Sequence, residues 1–160
     1  MRLRILAVGR LKDGPERALV QRYMERAAPL ARRFGLTAPE IVEIPESRAR
    51  RADERRADEA RALQAHLGEA ALIVLDERGA PLTSEAFAHL IEGRRAAATP
   101  VLAIAIGGAD GLDETLRERA SATIAYGAAT FPHGLVRVLL AEQVYRALTI
   151  LDGHPYHRGG

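Results

Sequence analysis

"VLAIAIGG" (101–108) decides the fold. Six consecutive apolar residues end in two glycines, so the run is too short for a helix and has no polar face to leave in water. A strand apolar on both faces has to be covered on both, which is the situation of a parallel sheet with helices above and below it. The glycines fall where such a strand would end. A third follows at Gly111, and a helix pattern begins directly after it. Glycine lets a ligand approach the backbone with no Cβ in the way, and in open α/β sheets ligands sit at the carboxyl ends of strands. A plain tight turn would use the same residues.

Working outward, four more strands are expected at "LRILAVG" (3–9), "EIVEIP" (40–45), "ALIVLDERG" (71–79) and "ATIAYG" (122–127). Helix patterns separate them. After Gly14 and Pro15, a proline suited to a first helical turn, the residues Leu19, Val20, Tyr23, Met24 and Ala27 recur at helical spacing. Pro29 is expected to end or kink that helix. The arginine-rich segment 46–61 mixes both signs and reads as an exposed helix or a partly mobile arm. Thr83 can cap the helix "SEAFAHLIEGRR" (84–95), and "DETLRERA" (113–120) reads as a short helix.

The last helix, from about His133 to Leu151, is apolar nearly all round, with Leu135, Val136, Val138, Leu139, Leu140, Val144, Tyr145, Leu148, Ile150 and Leu151. Such a helix is buried on more than one side. One side facing the sheet and another facing a second subunit predicts a homodimer. Alternating strands and helices predict a single α/β domain over residues 1–160, with a mostly parallel sheet flanked by helices.

Composition narrows the function. The chain has 160 residues, 48% of them hydrophobic, enough to bury a core. No apolar run approaches the ~20 residues that span a bilayer, and the apolar run in "MRLRILAVGR" is too short for a signal peptide. A cytoplasmic protein with no membrane association is expected. The absence of cysteine removes disulfides, thiolate nucleophiles and cysteine-based zinc sites. A formal charge of +2 gives little general attraction for nucleic acid, so any RNA contact has to come from a local patch.

"GRLKDGP" (9–15) lacks the lysine of a phosphate-binding loop, because Pro15 stands in its place, and no G-x-G-x-x-G occurs. "YGAATFPHG" (126–134) is a second glycine-bearing loop, preceding the last helix. Two such loops after neighbouring strands point to a ligand crevice. The chain ends in "LDGHPYHRGG" (151–160), and His154 and His157 with His133 raise the question of a metal. "HPYH" contains a proline and a three-histidine site would need a folded arrangement that the spacing does not give, so no metal site is expected. His66 and His89 read as surface or boundary residues.

Taken together, "IGGADG" (106–111), "FPHGLVRVLLAEQVYRA" (131–147) and "GHPYHR" (153–158) resemble the ribosomal RNA large subunit methyltransferase H family, of the SPOUT class. "LRILAVGR" and "IVLDERG" fit the same family, so the resemblance covers essentially the whole chain. Ala109 departs from it, standing where the family commonly has proline. The resemblance implies a SPOUT-type fold with a C-terminal trefoil knot, a homodimer, and transfer of a methyl group from S-adenosylmethionine to N3 of a pseudouridine. The substrate would be 23S rRNA in the assembled ribosome. It further implies a cofactor site at Leu75, Gly108, Gly127, Ala128, Ala129, Thr130, Phe131 and Pro132.

His133, Tyr156, His157 and Arg158 would then be the catalytic, substrate-facing residues. Arg158 would stabilise the anion developing on the base, His157 or His133 would accept its proton, and Tyr156 would stack on it or hydrogen-bond it. The arginines at 48, 50, 51, 55 and 56 are either an RNA contact or a solvated helix face. A non-catalytic S-adenosylmethionine- or nucleotide-binding module and a metal-dependent hydrolase are the alternatives.

Overall fold

The computed structural model describes residues 1–157. The order is β1 (Arg2–Val8), α1 (Pro15–Arg33), β2 (Glu40–Ile44), α2 (Ala52–Leu67), β3 (Ala71–Pro81), α3 (Ser84–Ala96), β4 (Val101–Ile106), α4 (Glu114–Arg119), β5 (Ala122–Ala125) and α5 (His133–Leu151). The five strands form one sheet in the order β2-β1-β4-β3-β5, and every pairing is parallel. β4 is flanked on both sides, by β1 with Ile5 opposite Ile104 and by β3 with Ile73 opposite Ile104. Its residues Leu102–Ile106 are all buried, as the apolar run requires.

Alternating side chains of the sheet feed two cores. Leu3, Ile5, Ile73, Leu102 and Ile104 pack against Ala27, Leu30, Phe87, Ile91, Leu140 and Leu148 of α1, α3 and α5. Leu6, Val8, Leu72, Val74, Ala103 and Ala105 pack against Ala60, Leu63, Leu67 and Leu116 of α2 and α4. The result is three layers, with the sheet in the middle. No helix among the described residues is long and apolar enough to cross a membrane.

Four local features sharpen or bear on these expectations. α1 passes through Pro29 to Arg33. An interior proline costs about 3 kcal/mol, and here Leu30 and Ala31, just beyond it, are buried in the core. Burying one leucine side chain is itself worth roughly 1.5–3 kcal/mol. The arginine-rich segment is an ordered helix from Ala52, because Ala60, Leu63 and Leu67 recur on one face and are buried against the sheet.

β3 outlasts its apolar run. Leu75 and Ala80 both pair with Ile124, so residues 76–79 loop out of the ladder and return. Gly79 sits against the Ile124 backbone so closely that a Cβ would lie 2.4 Å from its carbonyl carbon. Finally, α5 is flanked within the same chain by α1 and α3, with Leu140, Val144 and Leu148 at 0% exposure. Much of its apolar circumference is therefore covered without a second subunit; Leu135 remains exposed.

Candidate active site

The carboxyl ends of β3, β4 and β5 open into a cleft of about 670 Å³. Its walls are Leu75–Arg78 where β3 leaves the ladder, Ile106–Leu112 at the end of β4, and Ala125–Gly127 with Ala129–Phe131 at the end of β5, closed by His133 and Val136 of α5. Of the residues expected to hold a cofactor, Leu75, Gly108, Gly127, Ala129, Thr130 and Phe131 line this cleft. Ala128 and Pro132 belong to the same loop without lining it. Placement at the strand ends follows from the parallel sheet, since only there does every strand release its chain on one side.

The first wall is a tightly wound glycine turn. Gly108 and Gly111 form a bridge. A Cβ on Gly107 would stand 2.7 Å from the Gly111 carbonyl carbon, and one on Gly108 would stand 2.8 Å from Glu59 Oε2. Neither position has space for a side chain. Gly127, in the second wall, has φ 110°, a conformation natural to glycine. The apolar faces of Leu75, Ile106 and Val136 between these two backbone walls suit a flat heteroaromatic ring, and the turns offer it main-chain polar groups.

α2 supports the glycine turn from behind. Arg55 makes a bidentate pair with Asp110, Nε to Oδ2 at 2.6 Å and Nη2 to Oδ1 at 2.9 Å. The guanidinium holds the Asp110 carboxyl below its ordinary range. One turn along, Glu59 is buried; its Oε1 accepts from the Ser47 N–H at 3.0 Å, while Oε2 has no hydrogen-bond partner. Burial pushes its pKa up from the carboxylate norm.

At the start of α5, His133 contacts a buried arginine. Arg137, 1% exposed, donates to Glu43 Oε1 at 2.8 Å, to the carbonyls of Val8 and Gly9 at 2.7 and 2.6 Å, and to His133 Nε2 at 2.7 Å. A guanidinium only donates, so Nε2 is the unprotonated nitrogen and the imidazole is neutral. Burial, then the Arg137 charge, lower the His133 pKa accordingly. His133 can take a substrate proton only if Arg137 first releases it, so in this arrangement it orients the helix start and is not a poised base.

Tyr156 and His157 lie elsewhere. The Tyr156 hydroxyl donates to Glu142 Oε1 at 3.1 Å, and its ring meets Tyr145 edge-on at 4.7 Å, with the Arg146 guanidinium 4.9 Å from its centroid. Burial, with Tyr23 and Glu142 beside it, pushes the Tyr156 pKa up to about 12. His157 is held between Glu85 Oε1 and Arg146, whose Nη1 is 3.4 Å from His157 Nδ1. Neither Tyr156 nor His157 lines the cleft of its own chain. Arg158 lies outside the described residues. Among the described residues no group of three or more His, Asp or Glu side chains is placed to hold a metal.

Several charged cleft residues were not singled out in the sequence: Asp76, Glu77, Arg78 and Arg117. Asp76 pairs with Arg117 at 3.2 Å, and Arg117 also donates to the Leu112 carbonyl at 2.6 Å, bracing the turn from the α4 side. Tyr126 has a buried hydroxyl without a partner, and burial drives its pKa upward. Charged residues after a strand carry no spacing signature; the loop-out of residues 76–79 brings them to the cleft.

Residues 1–157 match the family described as predicted SPOUT methyltransferase. The chain is 58% identical to the ribosomal RNA large subunit methyltransferase H of Methylobacterium radiotolerans, covering 99% of this chain and 98% of that one. It is 56% identical to the protein of the same description from Xanthobacter autotrophicus, with 99% of each covered. In fold it is similar to a probable methyltransferase from Bordetella pertussis, at TM-score 0.53 and 17% identity over 91% of this chain and 95% of that one.

Proposed function

Because the chain belongs to the SPOUT methyltransferase family, we propose that it methylates N3 of a pseudouridine in 23S ribosomal RNA, on the assembled ribosome, using S-adenosylmethionine. The relatives described as ribosomal RNA large subunit methyltransferases, matched over nearly their full length, support the RNA substrate. The single observation that carries the cofactor is the cleft at the strand ends, with one glycine wall crowded at Gly107 and Gly108, a second turned at Gly127 by its positive φ, and apolar Leu75, Ile106 and Val136 between them. In this reading residues 1–160 are one domain, the C-terminal segment is knotted, and the enzyme works as a homodimer in the cytoplasm.

When bound, S-adenosylmethionine supplies an electrophilic methyl group on a sulfonium. The protein's share is alignment, because in-line displacement gains much of its rate from holding nucleophile and methyl group in place. Gly108 and the 127–132 loop would hold the cofactor through their backbone groups. Arg55, Glu59 and Arg117 keep the glycine turn in shape, and His133 with Arg137 anchors the start of α5 beneath it. The target nitrogen is an imide N–H and must lose its proton to become nucleophilic. Arg158 supplies the positive charge that stabilises the resulting anion. His157 or His133 accepts the proton once it leaves the arginine that now faces it, Arg146 or Arg137.

Tyr156 and His157 of one chain are held by residues of its own α5 and α3 and do not line its own cleft. A homodimer whose second subunit brings Tyr156, His157 and Arg158 to the cleft of the first resolves this. The test is incubation with methyl-labelled S-adenosylmethionine and ribosomes lacking the modification, followed by nucleoside analysis. Label on a pseudouridine supports the reading; cofactor binding with no label in RNA would establish the non-catalytic module instead.

A further inference from the structure

The five arginines in the segment ahead of and opening α2 have separate fates. Arg55 is spent on Asp110, and Arg51 pairs with Asp53 at 2.7 Å. Arg48 and Arg50 are exposed, Arg56 lines the cleft, and none of the three has a carboxylate partner among the described residues. Their backbone is held firmly. Arg55 donates to the carbonyls of Ala49 and Arg50 at 3.1 and 2.9 Å while gripping Asp110 of the glycine turn. Glu59, one turn along, accepts from Ser47 N–H and lies against Gly108, and Asp58 accepts from the Ser47 hydroxyl at 2.7 Å. One face of α2 thus ties residues 47–50 to the turn that walls the cleft.

An arginine on a fixed backbone, with no partner of its own, is prepared to meet a phosphate, whose geometry its fork matches. We propose that Arg48, Arg50 and Arg56 form a surface that contacts the RNA sugar–phosphate backbone, set at the edge of the cleft by the Arg55–Asp110 and Glu59–Ser47 contacts. This rests on the RNA methyltransferase reading. Phosphate contacts of this kind fix the register of the RNA over the cleft without reading its sequence. They also compensate for a chain whose net charge gives little long-range attraction.

The experiment measures binding of large ribosomal subunits lacking the modification, as a function of salt, for wild type and for Arg48→Ala/Arg50→Ala. Each lost phosphate contact removes roughly 0.7–0.9 from the slope of log affinity against log salt. The double variant is expected to lose about 10-fold in affinity near physiological salt and about 1.5 from the slope. Its affinity for S-adenosylmethionine, measured without RNA, stays unchanged and reports an intact fold.

Arg22→Ala/Arg32→Ala, on the opposite layer, removes equal charge and should leave the slope as it was. Wild-type affinity and slope in the Arg48/Arg50 variant, with wild type still transferring label, would overturn this surface and spare the functional reading. A loss of affinity with no change of slope would also overturn it, since it would point to a protein contact. Failure of wild type both to bind subunits and to label RNA would overturn surface and reading together.

Discussion

Arg137 Nη2 stands 2.7 Å from His133 Nε2, one turn away on α5, and the same nitrogen of Arg137 reaches the carbonyls of Val8 and Gly9. A buried cation therefore joins the first turn of the last helix to the end of the first strand. Its carboxylate partner, Glu43, comes from the neighbouring strand β2.

Arg137→Met should be strongly destabilising, by about 3–5 kcal/mol, because it leaves buried carbonyls and a carboxylate without their shared donor. Urea denaturation monitored by circular dichroism measures the loss. A change below about 1 kcal/mol would mean that water replaces the guanidinium readily.

His133 gives stability a pH dependence with a defined sign. Its ordinary pKa of 6.5 is lowered in the folded chain by burial and by Arg137. Above pH 6.5 neither state binds the proton and the contact contributes in full. As pH falls below 6.5 the unfolded chain takes up a proton that the native site refuses, so stability declines until the folded pKa is passed. His133→Gln, which keeps an acceptor for Arg137, should flatten the profile in that window; an unchanged slope would assign it to another group.

Glu59 acts in the opposite direction. Its pKa is raised above 4.5 by burial, so its contribution to stability is complete below pH 4.5 and is lost as pH rises through the folded value. Glu59→Gln retains an acceptor for the Ser47 N–H and carries no charge to bury. The variant is expected to be more stable than wild type at neutral pH and equal to it in acid, as read from thermal melts at both pH values.

Gly108→Ala should damage the cofactor site specifically. The new Cβ would stand 2.8 Å from Glu59 Oε2 and 3.1 Å from Val8 Cγ1, both buried. Overpacking of this kind costs about 1–3 kcal/mol, and moving the turn to relieve it moves a wall of the cleft. Calorimetric titration with S-adenosylmethionine should show weakened binding. Gly111→Ala, where a Cβ meets nothing within 4 Å but φ is 80°, tests backbone strain without a clash.

The tail is expected to separate binding from chemistry. Arg158→Ala should cut turnover on ribosomes and leave cofactor affinity nearly intact. Mixing it with Gly108→Ala to form heterodimers should restore part of the activity if the tail serves the partner's cleft. No recovery in demonstrably mixed dimers would place the tail's action within one chain.

The fold was largely legible because its signals are local. Apolar runs such as 101–106 and 71–75 mark strands that must be covered on both faces, and the Thr83 hydroxyl caps α3 by accepting from the Ala86 N–H at 3.1 Å, as its position suggests. The two glycine walls were visible too, since crowding at Gly107 and a positive φ at Gly127 both favour glycine. Pro29 does not end α1, because burial of the residues beyond it outweighs a lost hydrogen bond, and burial is decided by the neighbouring elements.

Local patterns thus specify an α/β architecture with a crevice at its two glycine loops. Which charged groups serve that crevice depends on long-range packing. Arg55, Glu59 and Arg137 are far in sequence from what they touch, Asp110, Gly108 and Val8, and no local periodicity encodes such partners. The same holds for the chain end. Its residues looked like one catalytic cluster, yet Tyr156 and His157 settle on Glu142 and Glu85. Burial and pairing depend on what the folded sheet brings together, and that assembly is a property of the whole chain.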